Sequence, residues 1–421
     1  MKVIVIGAGL IGVASAWFLR RAGHDVTVID RQTGPAQEAS FANGALLTPS
    51  MPEPWNSPGV WRVLLTSLGR SDAPMQLRWR ALPGLMRWGA SFLCHSSRAA
   101  FERSTLSNLR LALHSLEIMK TLRLETRIEY GFAARGTLRI FRDQKGFDAA
   151  CMAARQWTTN GLNFRPLSAA EAIALEPALA PIRSELSGAV HYPSDELGNA
   201  HRFCKALADL GSQQGVEFRF RTEITSFEMR SGRIVAALSG NERLVGDHYV
   251  VAAGSYSTPL LRDVGIRLPV QPVKGYSVTF EDLREEASLR TPVLDDFFHA
   301  AVVPIDGFLR VAGTAEFAGY DPTIRSERVH NLMRLLHRVL PDRHFDLSTA
   351  KAWCGLRPMP PDGVPIIGPT SVPNASVNSG HGPLGWTLAA GSAQLLVDLM
   401  DGRSPSVDPA SYSLKRFAWA L

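Results

Sequence analysis

The apolar and polar positions of the first thirty residues follow two different periods. Residues 2–6 (KVIVI) form a short β-branched run, which is typical of a strand buried in a parallel sheet. A glycine-rich turn follows, and residues 11–22 then carry apolar side chains at helical spacing as far as Gly23, a residue suited to a helix end. Residues 25–30 (DVTVID) return to the strand pattern. The chain is therefore predicted to begin with a β-α-β unit.

The same two patterns divide the rest of the chain. Helical spacing is found at residues 102–124, 168–175, 200–214, 326–339 and 386–399. Strand patterns are found at residues 136–141, 216–220, 224–229, 234–239, 248–253, 270–315 and 364–368. Pieces of the β-α-β type occur at both ends and in the middle, so the sequence predicts an α/β fold with a discontinuous first domain and an inserted α+β domain built on an antiparallel sheet. The first domain is assigned residues 1–50, 196–265 and 345–421, and the second residues 51–195 and 266–344.

Composition narrows the class of protein. A chain of 421 residues, 45% hydrophobic and 20% charged, is long enough for two globular domains. The net charge of +6 is spread along the chain, which does not favour a nucleic-acid partner. The four cysteines show no metal-ligand spacing, so neither a metal site nor a disulfide is predicted, and free thiols fit the cytoplasm. No uninterrupted apolar run reaches the ~18 residues of a membrane span.

The turn after the first strand, GAGLIG at 7–12, carries specific chemistry. Gly7 permits the tight turn, Gly9 leaves room for a pyrophosphate beside the backbone, and Gly12 lets the helix pack closely on the sheet. The start of that helix offers free N–H groups and a partial positive charge to phosphate. Asp30 ends the second strand, where its carboxylate can bind the ribose hydroxyls of adenosine. Together they predict a dinucleotide site, without separating FAD from NAD.

Further motifs extend over essentially the whole chain in a constant order. They are VIGAGLIGVASAWFLRRAGHDVTVIDR at 5–31, SFANGALLTP at 40–49, PWNSPG at 54–59, GTLRIFR at 136–142, GSYST at 254–258, VKGYSVTF at 273–280, GLRPMPPDGVPIIG at 355–368 and SGHGPLGWTLAAGSAQLL at 379–396. Taken together they resemble the D-amino acid dehydrogenase small-subunit family, within the wider group of D-amino acid, glycine and sarcosine oxidases. The resemblance implies a Rossmann-like FAD-binding domain beside a substrate domain.

The resemblance also implies that FAD is bound without a covalent bond, because the segment around Cys354 follows the non-covalent relatives. The FAD-binding residues that it implies lie in the first β-α-β unit, in the loop that begins at Ser40, near the middle of the chain, and in the C-terminal glycine-rich segment. They are Gly7, Gly9, Leu10, Ile11, Gly12, Asp30, Arg31, Ser40, Asn43, Gly44, Ala45, Leu46, Ile224, Ala253, Gly254, Gly355, Gly380, His381, Gly382, Leu384, Gly385, Trp386 and Thr387.

An amino-acid substrate brings a carboxylate, which an arginine can bind in a bidentate manner. Arg357, in GLRP, resembles the carboxylate-binding arginine of these enzymes, and Tyr276 and Tyr256 are expected to add hydrogen bonds unless they are ordinary strand tyrosines. His381 is expected beside the flavin, where it either polarises the ring or caps the turn. The implied reaction is hydride transfer from the substrate Cα to FAD, giving an imino acid that hydrolyses to a 2-oxo acid. No general base is predicted.

Several alternatives stay open. Apolar Leu46 and Leu47 leave room for a D-proline or cis-4-hydroxy-D-proline dehydrogenase, and the scaffold also fits a glycine- or sarcosine-type oxidase. A flavin electron-relay subunit and an NAD-dependent dehydrogenase are less favoured. The resemblance implies quinone or another carrier as electron acceptor. The Trp- and Arg-rich region 55–98 fits a peripheral surface on the inner membrane or a partner, but equally a core or dimer contact, so homo- and hetero-oligomers both stay open.

Overall fold

The computed structural model describes residues 1–67, 75–281, 289–298, 300–345 and 348–417. Within these ranges the strands are β1 (Lys2–Ile6), β2 (Asp25–Ile29), β3 (Leu46–Leu47), β4 (Met75–Leu77), β5 (Thr137–Phe141), β6 (Arg165–Leu167), β7 (Gly188–Tyr192), β8 (Glu196–Leu197), β9 (Glu217–Arg219), β10 (Ser226–Arg230), β11 (Arg233–Ser239), β12 (Glu242–Leu244), β13 (His248–Val251), β14 (Gln271–Glu281), β15 (Val293–Asp295), β16 (Ala300–Ile305), β17 (Phe308–Phe317), β18 (Lys351–Met359), β19 (Ile366–Pro369) and β20 (Ala375–Ser379).

The α-helices of the same ranges are α1 (Leu10–Arg21), α2 (Val60–Ser67), α3 (Leu82–Cys94), α4 (Arg98–Thr126), α5 (Gln144–Gln156), α6 (Ala169–Leu175), α7 (Ala200–Gln213), α8 (Ser257–Arg262), α9 (Ser326–Val339) and α10 (Gly385–Met400). Short 3-10 helices cover Trp79–Ala81, Thr158–Asn160, Pro177–Glu185, Gly254–Tyr256, Gly382–Leu384, Pro409–Tyr412 and Leu414–Arg416. None of the helices described is both long and apolar enough to cross a bilayer.

The predicted β-α-β start forms the centre of a six-stranded sheet in the order β19-β20-β13-β1-β2-β9. Strand β1 pairs in parallel with both β2 and β13, and its residues 3–6 are buried, as a strand covered on both faces requires. Helix α1 packs against α10 and α7, which brings the N-terminal and C-terminal segments of the chain together. The central core is therefore built from segments distant in sequence.

A nine-stranded sheet forms the second layer, in the order β18-β14-β17-β16-β15-β5-β7-β6, with β4 paired to β17. Most of its neighbours are antiparallel, and α9 packs against β14, β16 and β17. The alternating pattern of residues 270–315 predicts such strands, although His299 and residues 282–288 lie outside the described residues. The apolar face of α9 and the sheet residues opposite it form a separate core.

One boundary drawn from the sequence is wrong. Residues 345–421 are assigned above to the cofactor domain, yet β18 pairs along its length with β14 in the nine-stranded sheet. The apolar residues of β18 alternate weakly, so the sequence does not identify it as a strand of the other sheet. The chain enters the six-stranded sheet only at β19. Elsewhere local signals hold: the helix predicted at residues 168–175 is present as α6, and Ser168 and Glu171 form a capping box at its start.

Candidate active site

A cavity of about 1240 Å³ lies between the two large sheets. It is bordered by the carboxyl end of β1, the loop after β2, the edge formed by β14 and β18, and the turn before α10. Single ligand pockets in proteins are usually ~300–1,000 Å³, so this cavity has room for a large cofactor and a small substrate together. Its position at the strand ends is where open α/β sheets bind ligands.

The glycine-rich turn shows why each glycine is needed. Gly7 has a φ of +108°, and a Cβ on Gly12 would lie 1.8 Å from the Gly7 carbonyl oxygen. The fold itself therefore requires glycine at both positions. Gly9 differs, because it has an extended backbone and a Cβ there would meet only the Ser40 hydroxyl at 3.5 Å. Gly9 lies at the N-cap of α1, which has no side-chain cap. The open space beside it fits a pyrophosphate.

The end of β2 carries the acidic residue predicted to bind ribose. Asp30 accepts hydrogen bonds from the backbone N–H groups of Ala8 (2.6 Å) and Gln32 (2.8 Å), which fix its carboxylate at the cavity wall. Its neighbour Arg31 is bound by Glu38 at 2.6 Å. The Tyr256 ring stacks on the Arg31 guanidinium, with 3.8 Å from Cζ to the ring centroid. Tyr256 thus borders the cavity beside Arg31, and its contact with a substrate carboxylate stays a prediction.

The loop after β2 is held in place by bonds from distant elements. Ser40 accepts a hydrogen bond from the N–H of Leu10 at 3.2 Å, beside the start of α1. The Asn43 carbonyl accepts one from buried Arg310 at 3.0 Å, and Thr387 of α10 accepts one from the N–H of Thr48 at 2.9 Å. These contacts place the small residues of the loop along the cavity, as the sequence predicts for a flavin contact.

The glycine-rich turn before α10 closes the opposite wall. His381 is buried, its Nε2 lies 2.9 Å from the Ser392 hydroxyl, and its Nδ1 has no partner in the structure. Burial lowers the pKa of His381 to about 3, so the imidazole is neutral near pH 7. The side chain does not cap the following 3-10 helix, which excludes the capping role considered above.

Most of the residues predicted to bind FAD border this cavity. Those that do are Gly7, Gly9, Leu10, Ile11, Asp30, Arg31, Ser40, Asn43, Gly44, Ala45, Leu46, Ile224, Ala253, Gly254, Gly355, His381, Gly382, Leu384, Gly385 and Trp386. Gly12, Gly380 and Thr387 lie behind the wall instead, where they fix the turn or the loop. The cradle at Gly9, the fixed Asp30 carboxylate and the size of the cavity fit FAD.

Arg357 lies on β18 with its guanidinium in the cavity. A Cβ on Gly275 of β14 would lie 2.2 Å from the Arg357 Cζ, so the guanidinium occupies the space that the glycine leaves. Its Nη1 donates to the Thr314 carbonyl at 2.9 Å. No carboxylate of the described residues lies within ion-pair distance, and burial lowers the pKa of Arg357 to about 10.

Thr314 holds an unusual backbone conformation next to this arginine. Its φ is +59°, rare for a β-branched residue, and its buried hydroxyl has no hydrogen-bond partner among the described residues. The pairing of β14 with β17 skips one residue here, since Lys274 faces Glu316 while Tyr276 faces Gly313. This β-bulge turns the Thr314 carbonyl toward Arg357, and such strain is typical of functional sites.

Tyr276 does not play the role predicted for it. Its hydroxyl donates to the buried carboxylate of Glu316, and its ring packs in the core beneath α9. Burial, together with Glu316, raises the pKa of the phenol. Successive side chains of a strand point to opposite faces, so Gly275 faces Arg357 while Tyr276 and Lys274 face away.

Lys274 donates to the Thr323 carbonyl at 2.9 Å in the same buried network, away from any flavin contact.

The cavity also includes residues that sequence reasoning missed. Met51, Glu53 and Trp55 border it from the segment after the flavin loop, and Trp353 borders it from β18. The Arg357 Cζ lies 5.7 Å from the Trp55 ring centroid. The prolines on either side of Glu53 were a usable signal, because they favour an extended strip with alternating faces. The described residues contain no cluster of metal-ligating side chains.

Comparisons with known proteins agree with this geometry. Residues 2–399 match the family model DAO, FAD dependent oxidoreductase. A D-amino acid dehydrogenase of Paramagnetospirillum magneticum is 41% identical over 418 residues, covering 99% of both chains. Among solved structures, glycine oxidase from Geobacillus kaustophilus matches with a TM-score of 0.75 and 23% identity, covering 99% of both chains. L-proline dehydrogenase from P. horikoshii matches with a TM-score of 0.78 and 17% identity, covering 99% of this chain and 98% of its own.

Substitution of two glycines of the turn separates packing from cofactor binding. Gly12→Ala should destabilise the fold by about 2–3 kcal/mol, because its Cβ overlaps the Gly7 carbonyl. Gly9→Ala should leave the unfolding temperature of the apoprotein near that of the wild type, yet reduce bound FAD at least about tenfold, since only the pyrophosphate needs the space. Flavin absorbance and thermal unfolding of apoprotein measure both effects. Retention of FAD by Gly9→Ala would contradict this placement of the cofactor.

Gly275→Ala tests the position of the arginine. The new Cβ would displace the Arg357 guanidinium, so the KM for an amino-acid substrate should rise about 10–100-fold while bound FAD is retained. Gly84→Ala is the matched control, because a Cβ at Gly84 meets nothing within 4 Å. Steady-state kinetics with a dye acceptor give both values. An unchanged KM in Gly275→Ala would show that the substrate carboxylate binds elsewhere.

Proposed function

Because the chain belongs to the DAO family of FAD-dependent oxidoreductases, we propose that it is a dehydrogenase that oxidises D-amino acids to imino acids, which hydrolyse to 2-oxo acids. The observation that carries the proposal is the Arg357 guanidinium, which enters the cofactor cavity without a carboxylate partner among the described residues. A buried charge without a counter-ion is costly, and the carboxylate of an amino acid offsets that cost. The relatives named D-amino acid dehydrogenase support the D configuration.

In this proposal the protein binds and orients the substrate while FAD, when bound, accepts the hydride. Arg357 binds the substrate carboxylate, and the carbonyl of Thr314 fixes the direction of the guanidinium. The same positive charge, in a cavity that excludes water, lowers the pKa of the substrate amine and favours its neutral form. Leu46 and Trp55 are apolar residues that line the cavity. Because His381 is neutral with a low pKa, it is a weak proton acceptor and is given no role as a base.

We propose that FAD is held without a covalent bond. Cys354 is the cysteine nearest to the site along the sequence, but its side chain points to the buried network of Tyr276. Its Sγ donates to the Pro322 carbonyl at 3.0 Å, and burial raises the pKa of the thiol. A thiol needs to be ionised and close to the ring to form a bond with it, so the position of Cys354 supports the non-covalent form.

Anaerobic titration of the purified yellow protein tests the reaction. D-alanine should bleach the flavin absorbance, L-alanine should not, and reoxidation should be fast with a quinone analogue and slow with oxygen. Arg357→Met should retain FAD and raise the D-alanine concentration needed for half reduction by about 30-fold or more, since one partner of a buried charge pair is lost. Brisk peroxide formation would identify an oxidase instead. Reduction by D-proline alone would identify the cyclic-amine alternative, and no reduction by any amine would refute the proposal.

We also propose that one face of the molecule binds an anionic membrane surface, where a quinone acceptor is available. Helix α3 buries Leu85, Trp88 and Phe92, yet its opposite face is also apolar: Met86 is 75% exposed and Leu93 46% exposed. Trp79, just before the helix, is 74% exposed. Residues 75–98 carry four arginines and no acidic residue. Arg78 and Arg98 form ion pairs with glutamates outside this segment, and the other two, Arg80 and Arg87, are exposed. Apolar side chains flanked by arginine are complementary to an anionic lipid interface.

Sedimentation with lipid vesicles tests this surface. Wild-type protein should bind vesicles that contain phosphatidylglycerol and bind pure phosphatidylcholine weakly, and Trp79→Ser/Met86→Ser should reduce binding at least about fivefold through the loss of apolar contact. Met152→Ser is the matched control, since Met152 is 64% exposed on α5. Unchanged vesicle binding in the double variant would refute the assignment. Loss of a dimer in that variant would instead identify a second copy of the chain as the partner.

A further inference from the structure

We propose that Glu53 forms a second subsite in the cavity, which binds a cationic group at the end of the substrate side chain. The preferred substrates would then be D-amino acids of the lysine and arginine type. This inference rests on the proposed function, because it takes the substrate carboxylate to be bound by Arg357. Arg357 binds a group that all amino acids share, so a preference for cationic side chains requires a second residue.

The segment that carries Glu53 has a strictly alternating exposure. Pro52 and Pro54 are buried, whereas Met51 is exposed and Glu53 and Trp55 are half-buried. Glu53 and Trp55 border the cavity, together with Met51 and Pro54. A proline at every second position favours extended backbone at the residue before it. Side chains of an extended segment point alternately to opposite sides, so Glu53 and Trp55 share the face that looks into the cavity.

The backbone of this segment is tied to the protein on both sides of Glu53. Asn108 of α4 donates to the Pro52 carbonyl at 2.9 Å. Asn56 donates to the Pro361 carbonyl at 3.2 Å and to the His95 carbonyl at 3.1 Å. Since both asparagines are buried, these bonds hold the strip in one position. The carboxylate of Glu53 is thereby presented by a fixed scaffold rather than by a free loop.

The spacing between the two subsites matches a long cationic side chain. Arg357 lies 5.7 Å from the Trp55 ring, measured from Cζ to the centroid. Alternate residues of an extended strip are about 7 Å apart, which sets the separation of Glu53 from Trp55. A lysine side chain with C–C bonds near 1.5 Å reaches about 6 Å from its Cα. With the carboxylate at one end and a hydrogen bond of about 2.8 Å at each end, such a ligand spans roughly 14 Å and can contact both Arg357 and Glu53.

Glu53 has no ion-pair partner among the residues that the structure describes. The cation whose charge acts on its carboxyl is Arg139, whose Nε already lies 2.9 Å from Asp296 Oδ1. Burial raises the pKa of the Glu53 carboxyl, and Arg139 only partly opposes this. Because Asp296 neutralises the charge of Arg139, the carboxylate of Glu53 has no counter-charge among the described residues at this part of the cavity. A ligand ammonium or guanidinium group would supply the missing counter-charge.

Binding of two non-reactive ligands tests the subsite apart from turnover. 6-Aminohexanoate has the carboxylate and terminal ammonium group of D-lysine but no α-amine, and hexanoate lacks both nitrogen atoms. In the FAD-loaded wild type, titration calorimetry should show 6-aminohexanoate binding at least about tenfold more tightly than hexanoate. Glu53→Gln should abolish that difference, and Glu117→Gln, at an exposed site on α4, should keep it. Equal binding of the two ligands by the wild type would overturn the proposal.

Selectivity in turnover gives a second, independent measurement. The ratio of kcat/KM for D-lysine over D-norleucine should exceed about 10 in the wild type and fall to about 1 in Glu53→Gln. Glu53→Lys should invert the charge preference and favour D-glutamate over D-lysine. If Glu53 instead acts on the reacting amine, both substrates would lose rate equally and the ratio would stay unchanged, which refutes the subsite. Failure of every D-amino acid to reduce the flavin would instead refute the proposed function.

Discussion

A guanidinium held in a cavity, with no carboxylate partner in the part of the chain that the structure describes, is the constraint around which this site is arranged. Arg357 extends from the edge of the nine-stranded sheet into the space that Gly275 leaves empty, and one carbonyl oxygen, from Thr314, orients it. Removing such a charge from water is costly, and the rest of the fold offsets that cost. In the proposed function, the carboxylate of an amino acid supplies the opposite charge.

The two sheets contribute different parts of the site. The six-stranded sheet provides the glycine turn, the Asp30 carboxylate and the start of α1, which together fit the dinucleotide. The nine-stranded sheet provides Arg357, and the irregular strip after the flavin loop provides Glu53 and Trp55. Because the cavity lies between these parts, cofactor and substrate can meet only when both layers are packed. Within the layer of the six-stranded sheet, the long-range contact of α1 with α10 joins the N-terminal and C-terminal segments of the chain.

Strand alternation decides which polar residues can take part in the chemistry. Lys274 and Tyr276 share a strand with Gly275, but they enter a buried network with Glu316 on the opposite face. A bulge at Thr314 turns a carbonyl toward Arg357 that regular pairing would have used within the sheet. The network of Lys274, Tyr276 and Glu316 on one face of the sheet stabilises the strands, whereas Arg357 on the other face borders the cavity.

Sequence alone determined the features that depend on local spacing. The β-α-β unit, the tight glycine turn, the acidic end of β2 and the helix α6 all follow from residues close together in the chain, and the family resemblance pointed to Arg357. Tertiary structure decided what depends on the direction of a side chain: Tyr276 faces the core, Tyr256 stacks on Arg31, β18 joins the other sheet, and Glu53 enters the cavity. The physical reason is that a pattern gives the period of a strand, but only its partners fix which face meets the ligand.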